Sequence, residues 1–320
     1  MEKIIIKGFP LDTKVDGIML LESFTQGMTK QNTSFLTLRL SDGNEIVEAK
    51  LWDTSKENFE IPAESLIAVT LFAKTYNDTK SFEVTKYCKV PDDSGYSITD
   101  FIRKAPYRPE EMYNYILKVV NSTAECTPVT NIVNYIYEKN KEKLLYWSAA
   151  EKIHHNLYGG LLYHTFRMIQ SAQCLSKVYS AVSKELLYSA VAVHDIGKLA
   201  ELETSQLGNA EYTVQGSLFG HTAIGMMMID RARIELGITE EAVTDLLHCI
   251  AAHHGKMEWG AASKPATLEA YLLHMIDNID AKVYQFEEIY DSTEAGGLSD
   301  RVFTLDNVKV YRSDIYHPAE

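Results

Sequence analysis

The chain changes its hydrophobic rhythm once. Up to about residue 90 the apolar positions alternate, with Leu36, Leu38 and Leu40 on one face and Phe35, Thr37 and Arg39 on the other. That period-two pattern is the mark of a strand with one buried side. Ser41-Asp42-Gly43-Asn44 reads as a turn, and alternation resumes from Ile46 to Trp52 with Val47, Ala49 and Leu51 inward. A second hairpin is expected from Leu66-Ile67-Ala68-Val69 through an Asn77-Asp78 turn to Phe82-Glu83-Val84, and Gly17 to Phe24 supplies a further strand. About five short strands with loops of Greek-key size suit an OB-type β-barrel.

After Pro91-Asp92-Asp93-Ser94-Gly95 the composition shifts, and from about 110 to 290 apolar residues recur at three- and four-residue spacing. The spacing predicts helices over Glu111 to Val120, Thr130 to Tyr137, Leu161 to Val178, Lys184 to His194, His221 to Leu236, Glu240 to His254 and Ala266 to Tyr290. Gly159-Gly160 precede one helix, Gly197 and Gly255 let the chain turn away after two others, and Pro265 opens the last. The tail from Leu298 reads as strand-like or extended. The expectation is a multidomain α+β chain: a five-stranded OB-type barrel over residues 1–90, a linker over 91–110, an all-α helical bundle over 111–297 and a C-terminal extension over 298–320.

Composition narrows the setting. The start, MEKIIIKGFP, lacks a charged region followed by a long apolar one, so no signal peptide is expected. No apolar run approaches the length of a membrane span, so no membrane partner is expected. Cys88, Cys126, Cys174 and Cys249 are far apart with no CxxC, which reads as reduced thiols and a cytoplasmic protein. A net charge of −13 speaks against a broad duplex-binding face. Binding to a single strand would need local positive charge, with bound cations offsetting site carboxylates.

The chemistry gathers around His194-Asp195-Ile196-Gly197-Lys198. His164 lies upstream, and His221, His253-His254 and Asp277 lie downstream. An adjacent His-Asp pair offers one cation an imidazole and a carboxylate, and the second carboxylate oxygen can reach a neighbouring cation. Two cations a few ångströms apart drive water's attack on a phosphorus ester. Each residue alone has a plainer reading: His253 or His254 as a helix-end cap, His164 as a packed or surface histidine, and Asp277, like Asp280 one turn past it, as a solvated face residue. Their ordered occurrence along successive helices favours two divalent metal ions. Mixed imidazole and carboxylate donors suit manganese, with iron or cobalt as the other candidates, better than magnesium.

The order His164, His194-Asp195, Asp277 resembles the H…HD…D signature of the HD-domain phosphohydrolase superfamily. That resemblance implies a first metal held by these four side chains, and a second held by Asp195 as a bridge with His221, His253 and His254. AAEKIHH (149–155), GGLLYHT (159–165), HDIGK, GHTAIG (220–225), AAHHG (251–255) and HMIDNIDAK (274–282) look like the YhaM-type 3′→5′ exoribonucleases. SFLTLRLSDGNEIVEAKLWD (34–53) is similar to the OB segment that precedes the HD domain there. The similarity runs through nearly the whole chain, with departures at Tyr163 and at Ala261-Ala262. It implies trimming of single-stranded RNA, and often single-stranded DNA, from the 3′ end to nucleoside monophosphates, commonly with manganese.

In that reading Asp195, Lys198 and His155 are catalytic. Lys198 brings a point charge to the scissile phosphate, and His155, beside His154, donates a proton to the leaving 3′ oxygen. On the barrel, Phe35, Arg39, Lys50 and Trp52 fall on the outward face, where aromatics stack bases and cations meet phosphates, and Lys30 sits in a bordering loop. A homo-oligomer is compatible with all of this. Two other readings stand beside it. One is an HD-type phosphodiesterase of cyclic dinucleotides or nucleotides; the cyclic-dinucleotide group carries Gly-Tyr-Pro where this chain has Lys256-Met257-Glu258-Trp259-Gly260. The other is a non-catalytic OB-fold single-strand-binding adaptor, which a full ligand set argues against.

Overall fold

Alternation along the first unit closes into a ring. A computed structural model describes residues 1–76, 79–91, 93–124, 126–149, 157–205, 207–208 and 210–315. It divides into two compact units, Met1–Lys104 and Ala105–Glu320. In the first, β1 (Lys14–Met28), β2 (Ser34–Ser41), β3 (Ile46–Trp52), β4 (Ser65–Tyr76) and β5 (Thr79–Lys89) form a closed barrel in the order β1-β2-β3-β5-β4. The neighbours are antiparallel except β3 and β5, whose parallel pairing closes the OB-type ring.

The inward residues are those the alternation picks. Leu36, Leu38, Leu40, Ala49 and Leu51 are buried in the barrel core, and Val47 packs half-buried against it. The β2–β3 turn is fixed by Asp42, which is fully buried; its carboxylate accepts the backbone N–H groups of Ile6 (2.7 Å), Asn44 (2.8 Å) and Glu45 (2.8 Å). The expected Asn77-Asp78 turn lies outside the described residues. The segment expected as a linker is structured instead. Phe101 is buried and accepts the Ser41 hydroxyl at 3.0 Å, while Ala105 donates its amide to the Tyr158 carbonyl at 3.1 Å within the second unit.

The second unit runs α1 (Pro109–Asn121), α2 (Pro128–Lys139), α3 (Lys141–Leu144), α4 (Gly160–Val178), α5 (Lys184–Val193), α6 (Lys198–Glu201), β6 (Leu202–Thr204), β7 (Ala210–Tyr212), α7 (Val214–Glu235), α8 (Thr244–Ala252), α9 (Leu268–Ser292), β8 (Leu298–Val302) and β9 (Val308–Tyr311). Side-chain caps start several of them: Thr127 for α2, Ser183 for α5, Thr213 for α7 and Thr267 for α9. Every residue of α5 from Leu187 to Val193 is buried, because α1, α2, α4, α8 and α9 surround it. The His-Asp pair that follows α5 therefore emerges in the middle of the bundle. No helix among the described residues is long and apolar enough to cross a membrane.

An all-α bundle was the expectation, and two small antiparallel pairs are added to the helices. β6 and β7 carry the chain from α6 back to α7, with Leu202, Thr204 and Ala210 turned inward. β8 and β9 form the tail, pinned where the Arg312 guanidinium donates to the Tyr290 and Thr293 carbonyls at 2.9 and 2.6 Å.

Gly197 also differs from its expected role. Its backbone is right-handed helical (φ −61°), so it is not the residue that turns the chain away. A Cβ there would lie 2.0 Å from the His221 carbonyl oxygen and 2.6 Å from the Gly225 nitrogen, so α6 and α7 meet backbone to backbone. Gly197→Ala is expected to cost about 3 kcal/mol, the upper end for overpacking. That is a fall of roughly 6–12 °C in Tm for a unit of this size, readable by calorimetry.

Candidate metal centre

Helix ends deliver most of the donors. His164 sits in the second turn of α4, and His194 closes α5 with Asp195 beside it. His221 follows Gly220, whose φ 68° and ψ 158° break α7 and turn the imidazole inward. His253 closes α8, His254 follows it, and Asp277 projects from the middle of α9. These side chains collect into two triads, His164 with His194 and Asp277, and His221 with His253 and His254. Within each, one donor atom per residue lies within 4.8 Å of the others.

Asp195 stands between the triads and divides its oxygens. Oδ2 is 3.3 Å from His194 Nε2 and 3.8 Å from His164 Nε2, whereas Oδ1 is 3.3 Å from His221 Nε2 and 3.9 Å from His253 Nε2. Lys198 Nζ lies 2.8 Å from Oδ2. Burial opposes the Asp195 charge, but Lys198 and His194 hold the carboxyl well below the usual range; burial likewise opposes the Lys198 charge, and Asp195 raises it. Lys198 thus grips Asp195 as well as lining the cavity above it.

In four of the five imidazoles the nitrogen turned away from the centre shows what it is built for, while His254 Nδ1 is buried with no partner among the described residues. Carbonyls and carboxylates only accept, so the nitrogen facing one carries the proton. His194 Nδ1–H donates to the Val191 carbonyl (2.9 Å) and His253 Nδ1–H to that of Ile250 (2.6 Å). His164 Nδ1–H donates to Asp280 (2.7 Å) and His221 Nδ1–H to Glu201 (3.1 Å). The lone pairs of the four Nε2 atoms are then aimed inward. His164 and His194 bring theirs to 3.2 Å, with Asp277 Oδ1 also 3.2 Å from His164, and His221 faces His254 Nε2 at 3.1 Å. His253 Nε2 is buried with no hydrogen-bond partner among the described residues. Opposed lone pairs and carboxylates repel at these distances unless positive charge lies among them. Divalent cations with imidazole and carboxylate donors fit both triads.

Where a proton supplies that charge, the groups respond unequally. Burial lowers His164, yet hydrogen bonds and charge from Asp277 and Asp280 win and push it up to about 10. Burial opposes the Asp277 charge in turn, and His164 holds its carboxyl well down. Burial and the neighbouring His254 drive His253 down to about 3, and burial and His221 lower His254.

Two residues behind the donors escape a reading of the sequence. Asp280, expected as a solvated residue, is only 5% exposed. It is held by His164 and by Arg167 Nε at 2.5 Å, and Arg167 pairs in turn with Glu287 at 2.6 Å. Its signal was its place one turn past Asp277. Glu201 accepts both the backbone N–H (2.9 Å) and Nδ1–H of His221, so it caps the helix and orients the ring. Glu201→Gln and Asp280→Asn are each expected to cost roughly 10–100-fold in metal affinity, read by isothermal titration with manganese. His155 and His154 lie outside the described residues.

On the barrel, Phe35 and Trp52 pair directly across β2 and β3 with ring centroids 5.1 Å apart, and Lys50 Nζ sits 4.7 Å above the Phe35 ring. Phe35 is also wedged over Gly27, where a Cβ would come within 2.4 Å of the ring. Trp52 is 44% exposed and donates its indole N–H to Glu83 at 3.0 Å. Arg39 does not join this group: it is paired with Glu22 at 2.7 Å. Lys30 is exposed in the turn between β1 and β2.

Residues 161–282 match the HD domain family model. The 3′-5′ exoribonuclease YhaM of Geobacillus sp. (strain WCH70) is 32% identical over 305 residues, covering 95% of this chain and 93% of the relative. The solution NMR structure of the second OB-fold domain of replication protein A from Methanococcus maripaludis matches 29% of this chain and 98% of its own, with 13% identity and a TM-score of 0.23.

Proposed function

This chain belongs to the YhaM family of 3′-5′ exoribonucleases, and from that premise we propose that the Asp195 centre trims single-stranded RNA from its 3′ end to nucleoside monophosphates, accepting single-stranded DNA as well. The observation that carries it is the division of the Asp195 oxygens between two triads of donors. The cations are proposed to be manganese, because the donor set mixes imidazole with carboxylate. Bound there, divalent cations supply Lewis acidity toward the phosphate ester and make water a nucleophile at neutral pH.

The side chains do the rest. His164, His194 and Asp277 hold one position, His221, His253 and His254 the other, and Asp195 spans them. Lys198 keeps Asp195 ionised and offers its ammonium to the phosphate from the cavity wall. On the barrel, Trp52 supplies a face for stacking a base, with Lys50 and Lys30 contributing charge near the backbone. With a net charge of −13, such contacts favour a single strand held locally over a duplex held along its length.

A 5′-labelled RNA oligomer tests the proposal. With manganese, a ladder of shortened strands and mass-identified nucleoside monophosphates is expected, and a chelator should abolish both. Strand binding without turnover would instead indicate an adaptor. Hydrolysis confined to cyclic dinucleotides or mononucleotides would overturn the exonuclease reading.

A further inference from the structure

One half-exposed indole stands at the cavity of the metal centre with no role in holding it. Trp259 is 50% exposed and lines the same cavity as His164, Asp195, Asp277 and Asn278. Backbone hydrogen bonds tie its loop down: Trp259 donates its amide to the Lys256 carbonyl (3.0 Å), Ala261 to the same carbonyl (3.1 Å) and Ala262 to that of Ala251 (2.9 Å). Gly260, at φ +92°, permits the tight return. Lys256 Nζ lies 4.1 Å from the indole centroid, and the His274 ring, on the same cavity, lies 6.0 Å from it at an angle of 45°. A large apolar ring left half-exposed to water loses the free energy its burial would bring, and a flat partner on its exposed part would recover it.

Asn278 supplies the second observation. It follows Asp277 on α9 and lines the cavity with it. Among the described residues neither its side-chain amide nor the Trp259 indole N–H makes a hydrogen bond. The cavity holds about 190 Å³, below the roughly 300 Å³ at which pockets for drug-sized ligands begin. A cavity of that size would be filled by the phosphate and sugar of one nucleotide, which would leave the base at the mouth beside the exposed indole.

We propose that Trp259 and Asn278 form the subsite for the 3′-terminal nucleotide: Asn278 hydrogen-bonds its sugar hydroxyls, and the exposed indole of Trp259 stacks its base. This rests on the exonuclease reading for the identity of the ligand. The order follows from covalent connectivity, since the sugar lies between phosphate and base. The phosphate meets the buried donors, the sugar meets Asn278 beside Asp277, and the base meets the exposed indole. Stacking tolerates every base, which suits an enzyme that must remove each nucleotide in turn.

Three probes separate the contacts: inorganic phosphate, ribose 5-phosphate and 5′-AMP, each measured by equilibrium dialysis against the manganese-loaded protein. Trp259→Ala is expected to weaken 5′-AMP roughly tenfold, within the range for one base on one aromatic ring, and to leave ribose 5-phosphate unchanged. Trp259→Phe should restore most of the loss. Asn278→Ala should weaken 5′-AMP and ribose 5-phosphate alike and spare phosphate. The proposal is overturned if Trp259→Ala weakens both sugar phosphates equally, if it weakens neither, or if the unaltered protein binds 5′-AMP no better than phosphate. Because dialysis needs no turnover, failure here is distinct from failure to digest RNA.

Discussion

Asp195→Asn is expected to empty both cation positions and to lower exonuclease turnover by well over 100-fold. Changing a residue one step behind a metal ligand costs roughly 10–100-fold, and Asp195 faces both triads directly, Oδ2 toward one and Oδ1 toward the other. Asparagine keeps the shape and one oxygen but removes the charge and turns an N–H₂ donor toward one set of imidazole lone pairs. It also leaves the half-buried Lys198 ammonium facing a neutral amide in place of its 2.8 Å carboxylate partner. Breaking a fully buried pair from one side costs about 3–5 kcal/mol; Lys198 reaches the cavity, so the fall in stability that accompanies metal loss should be smaller. His221→Ala makes the comparison, because it touches only the second triad. Metal-to-protein ratios by inductively coupled plasma mass spectrometry should drop toward zero for Asp195→Asn and toward one half of the wild-type value for His221→Ala. Two retained cations in the asparagine variant would break the bridging assignment.

What could be read from the chain follows how far each signal reaches. Alternation along β2 and β3 is a local property, so Leu36, Leu38 and Leu40 could be placed in a core without knowing the partner strands. The parallel pairing of β3 with β5, which makes the ring, joins segments with no local signature of each other. The donors were legible because most stand at a helix end or just after a glycine, and because all of them, Asp277 within α9 included, follow a fixed order. Glu201 was not: it belongs to a four-residue helix, too short for any helical period to show. Asp280 misled because i+3 from a ligand on a long helix is as often solvent as core. Its burial depends on Arg167, far away in sequence on α4. Gly197 looked like a stop, and the reason for a glycine there is the His221 carbonyl pressed against it. In each case the missing information was a contact between segments distant in sequence.

Loading of the first triad is expected to release about one proton per protein at neutral pH, because a ligand must be deprotonated to bind a metal. Without metal, His164 is pushed up to about 10: burial opposes its charge, but Asp277 and Asp280 outweigh burial. At pH 7 it therefore carries a proton on Nε2 as well as on Nδ1, and Nε2 is the atom that faces His194 and Asp277. A cation must displace that proton. Its affinity should weaken by about tenfold for each unit the pH falls below 10, or 1.36 kcal/mol per unit, and the dependence should flatten above 10. The second triad differs in sign of readiness, since His253 is driven down to about 3 and is already neutral at pH 7. Calorimetric titration with manganese in buffers of different ionisation enthalpy counts the protons directly, and Asp280→Asn should reduce the count by removing one carboxylate that favours the charged ring. A count of zero in the unaltered protein would mean that His164 is neutral before metal arrives, and that the carboxylates around it do not outweigh its burial.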